Sequence, residues 1–437
     1  MKERWIAGFL FLIFLFVGNG EAQVSSPPLT LEESIKIALD RNLRLHSAVE
    51  GVVGSQFRKR AAMTDFLAKW TGQYSYTRYN DPTVIGSSLA IGRSVDTSRD
   101  VYNFSTSITQ PLFAGGSILS NYRIEKLGVE VAQTDVETVK RDIVLLVREG
   151  YFNILKAEKF VEVAKQAVKQ FEAQLEVAKA FFEVGLIPKN DLLQSEVRLA
   201  NARQGLVKAE NDLAIAKSSF NSLLRRDLNE PFSIVDILEY KPSPYRLEES
   251  IEEALRQRPE IKNAELKVSQ AKEAVKIARS GFFPTISLSA NYGRTSEELG
   301  LLGDMRSERW TIQTLATFTI GDWGKTSFKV GESKVKVTQA EDSKIQLKEG
   351  IILEVKQDYL NLLTAEKNIS VAEKAIEQAE ENLRLNEERY KHQVATATDV
   401  LDAVTLLAQA RLNYYSALSD FNIAKARLER AMGRMYP

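Results

Sequence analysis

The sequence predicts a membrane protein of mixed α and β structure, in which very long antiparallel helices are combined with four strands. Three observations lead to this prediction. The same segments occur twice along the chain in the same order, two long stretches without proline keep a helical spacing of apolar residues, and four shorter stretches alternate apolar with polar residues. A compact domain has no room for helices of that length, so we expect an elongated molecule.

The duplication is visible as repeated segments. "LEESIKIAL" from Leu31 returns as "LEESIEEAL" from Leu247, 216 residues later. "EGYFNILKAEK" and "NDLLQSEVRLANAR", which begin at Glu149 and Asn190, return 208 residues later as "QDYLNLLTAEK" and "TDVLDAVTLLAQAR". The shared order identifies two repeats, and the first copy holds eight extra residues in its strand region.

The repeats divide the chain into a short leader, two copies and a linker. The first copy spans residues 23–227, the second spans residues 247–437, and residues 228–246 link them. Each copy is predicted to contain a helix, two strands, a very long helix, a break and another long helix. The linker contains Pro231, Pro242 and Pro244, and is therefore predicted to be irregular.

The leader, residues 1–22, is predicted to be a signal peptide. Lys2 and Arg4 precede an apolar run from Trp5 to Val17, and small residues follow at Gly20 and Ala22. The alternative is a membrane anchor, but this run is shorter than the roughly 20 residues that a spanning helix needs. We therefore expect cleavage and export of the mature chain.

The long helices are predicted at Leu119–Val184 and Lys325–His392, and their partners at Lys189–Asp227 and Thr396–Met432. Apolar residues recur every three or four positions in these stretches. At 1.5 Å per residue, the longer helices would extend about 100 Å. Helices of this length bury an apolar stripe against a partner, so each pair is predicted to form an antiparallel coiled-coil hairpin.

Strand hairpins are predicted at about residues 66–113 and 282–320. "TISLSANYGR" from Thr285 and "WTIQTLATFTI" from Trp310 alternate apolar and polar residues over about ten positions, enough to cross a bilayer when tilted. The alternative is a soluble hairpin packed on a core, but the long helices need their apolar stripes for one another. Four strands cannot close a barrel and open edges cannot face lipid, so spanning strands require an oligomer.

Composition excludes several function classes. Lys and Arg number 58, as do Asp and Glu, so no net charge attracts nucleic acid. The chain has no Cys and two His, and it lacks the H-E-x-x-H, P-loop and G-x-S-x-G motifs. These absences argue against an enzyme, and we expect neither a metal site nor a cofactor.

Taken together, these features resemble the TolC-type outer-membrane efflux family. The matching segments are the predicted signal peptide, the doubled "L-x-E-S-I…AL" openings, the strand exits "QPLFAGGS" and "IGDWGKTS", and the tips "EVGLIPKNDLL" and "HQVATATDVLDA". The resemblance implies a homotrimer in which each chain gives four strands to one twelve-stranded β-barrel in the outer membrane. The helices would form an α-barrel in the periplasm, with the linker in an equatorial belt.

The function that this resemblance implies is transport without catalysis. Such a protein is the outer-membrane exit duct of a tripartite efflux or type I secretion system. Its partners are outer-membrane lipid, a periplasmic adaptor protein and an inner-membrane pump driven by protons or ATP. The alternative is a periplasmic coiled-coil adaptor or structural envelope protein, but adaptors carry one helical hairpin between β domains rather than two hairpins with membrane-length strands.

The tip segment "HQVATATDVLDAV" carries two acids, Asp399 and Asp402, whose i, i+3 spacing places them on one helix face. Thr396 suits the N-cap, so Asp399 is either a first-turn acid or a lumen acid. Asp402 aligns with Gln194 of the first copy, so only the second tip has a doubled acid. The resemblance implies that both acids, from three subunits, form entrance rings that select cations.

The resemblance also implies a gate. Tyr390 lies nine residues before Asp399, as the family's gate tyrosine does, and Asp191 matches that tyrosine's acidic partner. A hydrogen bond from the hydroxyl to the carboxylate would hold the tip closed. The alternative for Tyr390 is an interfacial aromatic residue at a helix end. The family's second closing link uses an Arg at the position of Ala395, so that link is absent from this sequence.

A docking site for the adaptor is implied at Val184, Gly185 and Leu186, which match the family's tip motif. The alternative is an ordinary helix C-terminus with Gly185 as its left-handed cap. The two interpretations are compatible, because an exposed Leu beside a cap is available to a partner.

Overall fold

The computed structural model describes residues 28–84, 97–242, 244–296 and 307–435. The predicted signal peptide, residues 1–22, lies outside these described residues, as do residues 85–96 and 297–306 at the turns of the two predicted strand hairpins.

Eight helices and four strands make up the described residues. The helices are α1 (Leu31–Arg41), α2 (Leu43–Thr64), α3 (Ser117–Glu183), α4 (Lys189–Leu223), α5 (Leu247–Gln257), α6 (Pro259–Ser280), α7 (Lys325–Lys391) and α8 (Ala397–Ala431). The strands are β1 (Lys69–Val84), β2 (Thr97–Ala114), β3 (Thr285–Ser296) and β4 (Ser307–Thr317).

The elements of the two repeats match in length. α1 and α5 have 11 residues each, α2 and α6 have 22, α3 and α7 have 67, and α4 and α8 have 35. Both long helices begin after a glycine in the left-handed region, Gly116 at φ 86° and Gly324 at φ 84°. The spacing between equivalent residues of the two copies therefore changes from 216 to 208 within the strand hairpins.

The strands form one antiparallel sheet in the order β1-β2-β3-β4, with β1 and β4 at its edges. Residues paired across neighbouring strands point to the same face. One level across the sheet consists of Trp70, Ile108, Ala290 and Ile312. The next level consists of Thr71, Ser107, Asn291 and Thr311. The sheet thus has an apolar face and a polar face, as the alternation predicts.

The long helices pair as predicted. α3 packs along α4, α7 packs along α8, and α3 also packs along α8, which joins the two repeats. No helix within the described ranges has an apolar stretch long enough to cross a membrane. The helices bury three apolar clusters, two beside the linker and a third, which we call the tip cluster, at the far end of the hairpins.

The linker is held against the first long helix. The hydroxyl of Tyr151 donates to the carbonyl oxygens of Leu29, at 3.0 Å, and Val235, at 2.7 Å. Leu29 and Ile234 form a parallel bridge beside this ring. Burial of the phenol raises the pKa of Tyr151 to about 12, so it stays protonated and keeps both bonds at any physiological pH.

Ion pairs tie the repeats together beside the linker. The Arg430 guanidinium contacts Asp142 of α3 at 2.7 Å and Glu354 of α7 at 2.9 Å. Arg258 is buried and contacts both Glu354, at 2.5 Å, and Glu260, at 2.7 Å. Because a buried guanidinium is costly unless it is fully paired, this network specifies how the helices of the two repeats fit together.

Three local predictions need correction. α4 ends at Leu223 rather than at Asp227, because Arg225 takes a left-handed φ of 54°. Proline is common at the first helical position, so the sequence predicts Pro188 in the first turn of α4, but its backbone is extended and it is the N-cap. β1 and β2 have 16 and 18 residues rather than about ten, because the extra residues of the first copy lengthen this hairpin.

Adjacent glycines at the exit from β2 allow a matched test of packing. A methyl group at Gly115 would lie 2.6 Å from the Ser280 carbonyl oxygen, whereas one at Gly116 would meet no atom within 4 Å. Both residues have positive φ. We expect Gly116→Ala to lower the free energy of unfolding by about 1 kcal/mol through backbone strain alone, and Gly115→Ala by about 3 kcal/mol because overpacking is added.

The measurement is the thermal unfolding midpoint of the detergent-solubilised protein. Equal midpoints for the two alanine variants would contradict the close approach of β2 to α6.

Candidate functional site

The candidate site is the end of the helical hairpins farthest from the sheet, where α3 turns into α4 and α7 turns into α8. The first turn is closed by the Gly185 amide, which donates to Phe182 at 3.0 Å, and the Leu186 amide, which donates to Phe181 at 2.8 Å. Gly185 has φ 75°, as a left-handed cap requires. The predicted cap is confirmed.

The second turn repeats this geometry without glycine. Gln393 takes φ 61°, and its amide donates to Tyr390 at 3.0 Å, while the Val394 amide donates to Arg389 at 2.8 Å. A non-glycine residue in this region costs about 1 kcal/mol, so the surrounding packing must hold the turn. The packing is the tip cluster, which buries Leu383, Val400 and Leu401 among other apolar residues.

The predicted docking residues are accessible. Val184 is 68% exposed and Leu186 is 51% exposed, although both are apolar. No atom approaches within 4 Å of the position that a Gly185 side chain would take. The first tip therefore presents a small apolar surface around an open backbone position.

Asp399 has the geometry of a helix cap. The Asp399 carboxylate accepts from the Thr396 amide at 2.8 Å and from the Thr396 hydroxyl at 2.8 Å, and the Asp399 amide donates back to that hydroxyl. This capping box confirms Thr396 as the N-cap of α8. The two hydrogen bonds lower the pKa of Asp399, so it remains charged throughout the neutral range.

Asp402 is not a cap, and it has a partner that the sequence did not indicate. The Arg198 guanidinium on α4 lies 2.8 Å from the Asp402 carboxylate on α8. One turn nearer the tip, the Thr398 hydroxyl donates to the Gln194 side-chain oxygen at 2.9 Å. Spacing within one helix cannot reveal this pair, because it joins residues 204 positions apart.

Tyr390 lies inside the tip cluster. It is 4% exposed, its ring centroid is 5.4 Å from that of Phe181, and its hydroxyl makes no hydrogen bond to any described residue. The expected hydrogen bond to Asp191 is therefore not formed in this conformation. Burial, followed by the charge of Asp191, raises the pKa of Tyr390. Ala395 is partly buried against the same cluster.

Within the described parts of the chain, no three His, Asp or Glu side chains come together in a way that would hold a metal ion.

Comparison with known proteins relates both repeats of the chain to one family. The profile described as "Outer membrane efflux protein" matches residues 35–224 and 250–434, one match in each repeat. The outer membrane protein TolC of Vibrio cholerae is 24% identical over 353 residues, which cover 77% of this chain and 77% of that protein. The alkaline protease secretion protein AprF of Pseudomonas aeruginosa is 25% identical over 308 residues, which cover 68% and 61%.

The fold is also shared with solved structures. The Campylobacter jejuni CmeC outer membrane channel matches with a TM-score of 0.80 at 18% identity, over 99% of this chain and 94% of that chain. This likeness confirms the predicted fold class of long helical hairpins joined to a four-stranded sheet.

Proposed function

The chain belongs to the outer membrane efflux protein family, and we propose that it works as the exit duct of an envelope-spanning transport assembly, with a homotrimer as its active form. Membership of the family places the protein in the outer membrane, with its helical part in the periplasm. The relatives are efflux and secretion channels rather than enzymes. The observation that carries the proposal is the two-faced sheet at one end of the long helical hairpins.

The sheet has the chemistry of a wall between lipid and water. Its apolar face carries large exposed side chains, among them Trp70 at 76%, Trp310 at 71% and Ile312 at 68% exposure. A soluble protein would bury such a surface, whereas a barrel turns it towards lipid. The opposite face is lined by Ser, Thr, Asn and Gln and suits a water-filled interior.

The sheet cannot serve this purpose alone. β1 and β4 leave backbone donors and acceptors unpaired along their outer edges, and such groups are not tolerated in lipid. If the β4 edge of one copy pairs with the β1 edge of the next, every edge is satisfied once the ring closes. Three copies give the twelve-stranded barrel that the family resemblance implies.

The exposure of the long helices also supports head-to-tail contact between neighbouring copies, which we call the joint. Phe152 and Val163 of α3 are 5% and 3% exposed where α3 packs along α8, but their equivalents on α7, Leu360 and Val371, are 50% and 66% exposed. Within one copy, α3 of the first repeat thus packs against the second repeat. The equivalent surface of α7 in the second repeat remains exposed to solvent. A head-to-tail neighbour would cover it with its own first repeat.

The proposed joint can be tested by cross-linking, since the chain has no Cys. Asn263 of α6 contacts Asp135 of α3 at 2.7 Å, and the equivalents of these residues are Ser47 and Ser343, which are both exposed. In the double variant Ser47→Cys with Ser343→Cys, we expect a short thiol cross-linker to join neighbouring copies. Denaturing gels should then show dimers and trimers.

The single variants Ser47→Cys and Ser343→Cys serve as controls and should remain monomeric on the same gels. A double variant that also stays monomeric would rule out this head-to-tail joint.

We place the entrance at the tips, with Asp399 and Asp402 as selectivity residues. Support comes from their position at the end of the hairpins and from the lowered pKa of Asp399, which keeps that carboxylate charged. Charges converging on one axis create a field that favours cations.

In planar bilayers, we expect the wild type to form cation-selective pores. Asp399→Asn with Asp402→Asn keeps an oxygen for the α8 cap and should lower the cation-to-anion permeability ratio by about fivefold or more, because it removes charge from the narrowest point. The matched control is Glu176→Gln, which removes an exposed carboxylate of α3 paired with Lys179. A wild type without conductance would contradict the channel proposal. If the double Asn variant kept the selectivity of the wild type, the two acids would serve only to cap α8 and to form the ion pair.

We assign Tyr390 and Asp191 to the gate. The support is the buried hydroxyl of Tyr390, which makes no hydrogen bond to a described residue and is available for a carboxylate if the tips tighten, together with the effect of the Asp191 charge on the pKa of Tyr390. We expect Tyr390→Phe to raise the mean single-channel conductance by about twofold, the effect of losing one hydrogen bond of modest strength. Tyr414→Phe, which alters a half-buried tyrosine of α8 away from the tip, should leave the conductance unchanged. Equal conductance of the two variants would remove Tyr390 from the gate.

The exposed first tip, Val184 to Leu186, is the proposed contact for a periplasmic adaptor. It joins two exposed apolar side chains to a backbone position that a partner can approach closely. Through that adaptor, the duct would receive cargo from an inner-membrane pump driven by protons or ATP. Relatives named for efflux and for protease secretion share this architecture, so the pump and adaptor select the cargo.

A further inference from the structure

The contact between Arg198 and Asp402 joins two residues that each break the duplication. Arg198 aligns with Leu406 in the second copy, and Asp402 aligns with Gln194 in the first. A neighbouring ion pair does follow the repeat: Arg203 contacts Glu172 at 2.8 Å, and their equivalents Arg411 and Glu380 lie 2.9 Å apart. Arg198 and Asp402 therefore each differ from their equivalents in the other copy, and they contact each other at the junction of α4 with α8.

The junction has a defined geometry. Gln194 meets Thr398, and four residues further along both helices Arg198 meets Asp402. The helices therefore run parallel there, and the two contacts lie one turn apart. Equivalent residues are 208 positions apart, whereas contacting residues are 204 apart, so the tips are staggered by one turn.

The same junction between neighbouring copies would hold different residues. Applying the repeat relation once more places Leu406 opposite the neighbour's Gln194, which cannot form an ion pair. The same relation places Asp402, the equivalent of Gln194, opposite the neighbour's Asn190. The mouth of the assembly would therefore alternate between ion-paired junctions within each copy and junctions without an ion pair between copies.

We propose that Arg198 and Asp402 form a charge latch that holds the two hairpin tips of one protomer together and neutralises the Asp402 ring until the mouth opens. This rests on the proposed function, because only a channel has a mouth to open. Separating the tips breaks the pair and exposes Asp402 to the permeation path. Arg198 is thus a residue that determines both the opening equilibrium and the ion selectivity.

Symmetry makes a weak contact effective. Arg198 is 42% exposed and Asp402 is 55% exposed, and one pair of this kind shifts an equilibrium only about twofold. If three pairs open together, factors of about two multiply to about eight. A latch of this strength shifts the mouth about eightfold towards the closed state and still yields to a docked partner.

The charge count tests whether both side chains face the permeation path. With Asp399 ionised, the side chains of Arg198, Asp399 and Asp402 together give each protomer of the wild type one net negative charge. Arg198→Gln contributes two, Asp402→Asn none, and the double variant one. Cation selectivity should therefore be highest for Arg198→Gln, equal for the wild type and the double variant, and lowest for Asp402→Asn, with steps of about fivefold.

The open-state occupancy of the variants should not follow the order of their cation selectivities. All three variants lose the latch, so we expect each to raise the open-state occupancy in planar bilayers by up to about eightfold over the wild type. At 1 M salt, where the screening length is about 3 Å, the difference from the wild type should shrink. The matched control is Arg203→Gln, which breaks an exposed Arg–Glu pair within the first hairpin only and should change neither readout.

A disulfide provides the converse test. In Arg198→Cys with Asp402→Cys, oxidation should reduce conductance and a reductant should restore it. The bond lies within one chain, so the denatured protein should still run as a monomer. Conducting wild-type pores together with Arg198→Gln pores identical to those of Arg203→Gln would overturn the latch alone. The absence of any wild-type conductance would instead overturn the channel proposal.

Discussion

The requirement that every backbone hydrogen bond be satisfied in lipid determines the architecture of the molecule. A sheet with free edges at β1 and β4 pays several kcal/mol for each unpaired group in hydrocarbon, so the strands must close into a ring made from several copies. The long helices are then arranged around the same ring as the strands, because α3 and α7 follow β2 and β4 directly. The connecting turns contain the left-handed glycines Gly116 and Gly324. A tube of helices thus follows from a closed sheet, and the tips farthest from the membrane become its other opening.

The duplication allows one joint to be used at every step around this ring. α3 of the first repeat packs along α8 of the second. In the proposed assembly, α3 of a neighbouring copy would cover the exposed apolar stripe of α7. The two joints are not identical. Gly115 fits tightly against Ser280 within a chain, whereas its equivalent, Trp323, has the same left-handed backbone and a fully exposed side chain. A tryptophan cannot enter the space that Gly115 occupies, so we expect the proposed joint between copies to be wider there than the joint within a copy.

Periodicity and repetition predict the fold well because they depend on local physics. The helix pairs, the two faces of the sheet, the left-handed cap at Gly185 and the N-cap at Thr396 all follow from residue types at short spacings. The site was less predictable. Spacing indicates that Asp399 and Asp402 share a helix face, but it does not indicate which helix lies opposite. The partner of Asp402 depends on a one-turn stagger between α4 and α8, which is set by packing along the whole hairpins. The only sequence signal for Arg198 was its mismatch with Leu406 in the second copy.

The structure also changes how the two acids at the tip should be understood. Asp399 is fixed by the Thr396 amide and hydroxyl, and its lowered pKa keeps it charged whether the mouth is open or closed. Asp402 is exposed but compensated, since Arg198 lies 2.8 Å away in the conformation described. In the proposed channel, Asp399 would therefore supply a constant field, whereas the field of Asp402 would depend on the separation of the tips. If opening of the proposed mouth uncovers Asp402, the attraction for cations would rise when passage becomes possible.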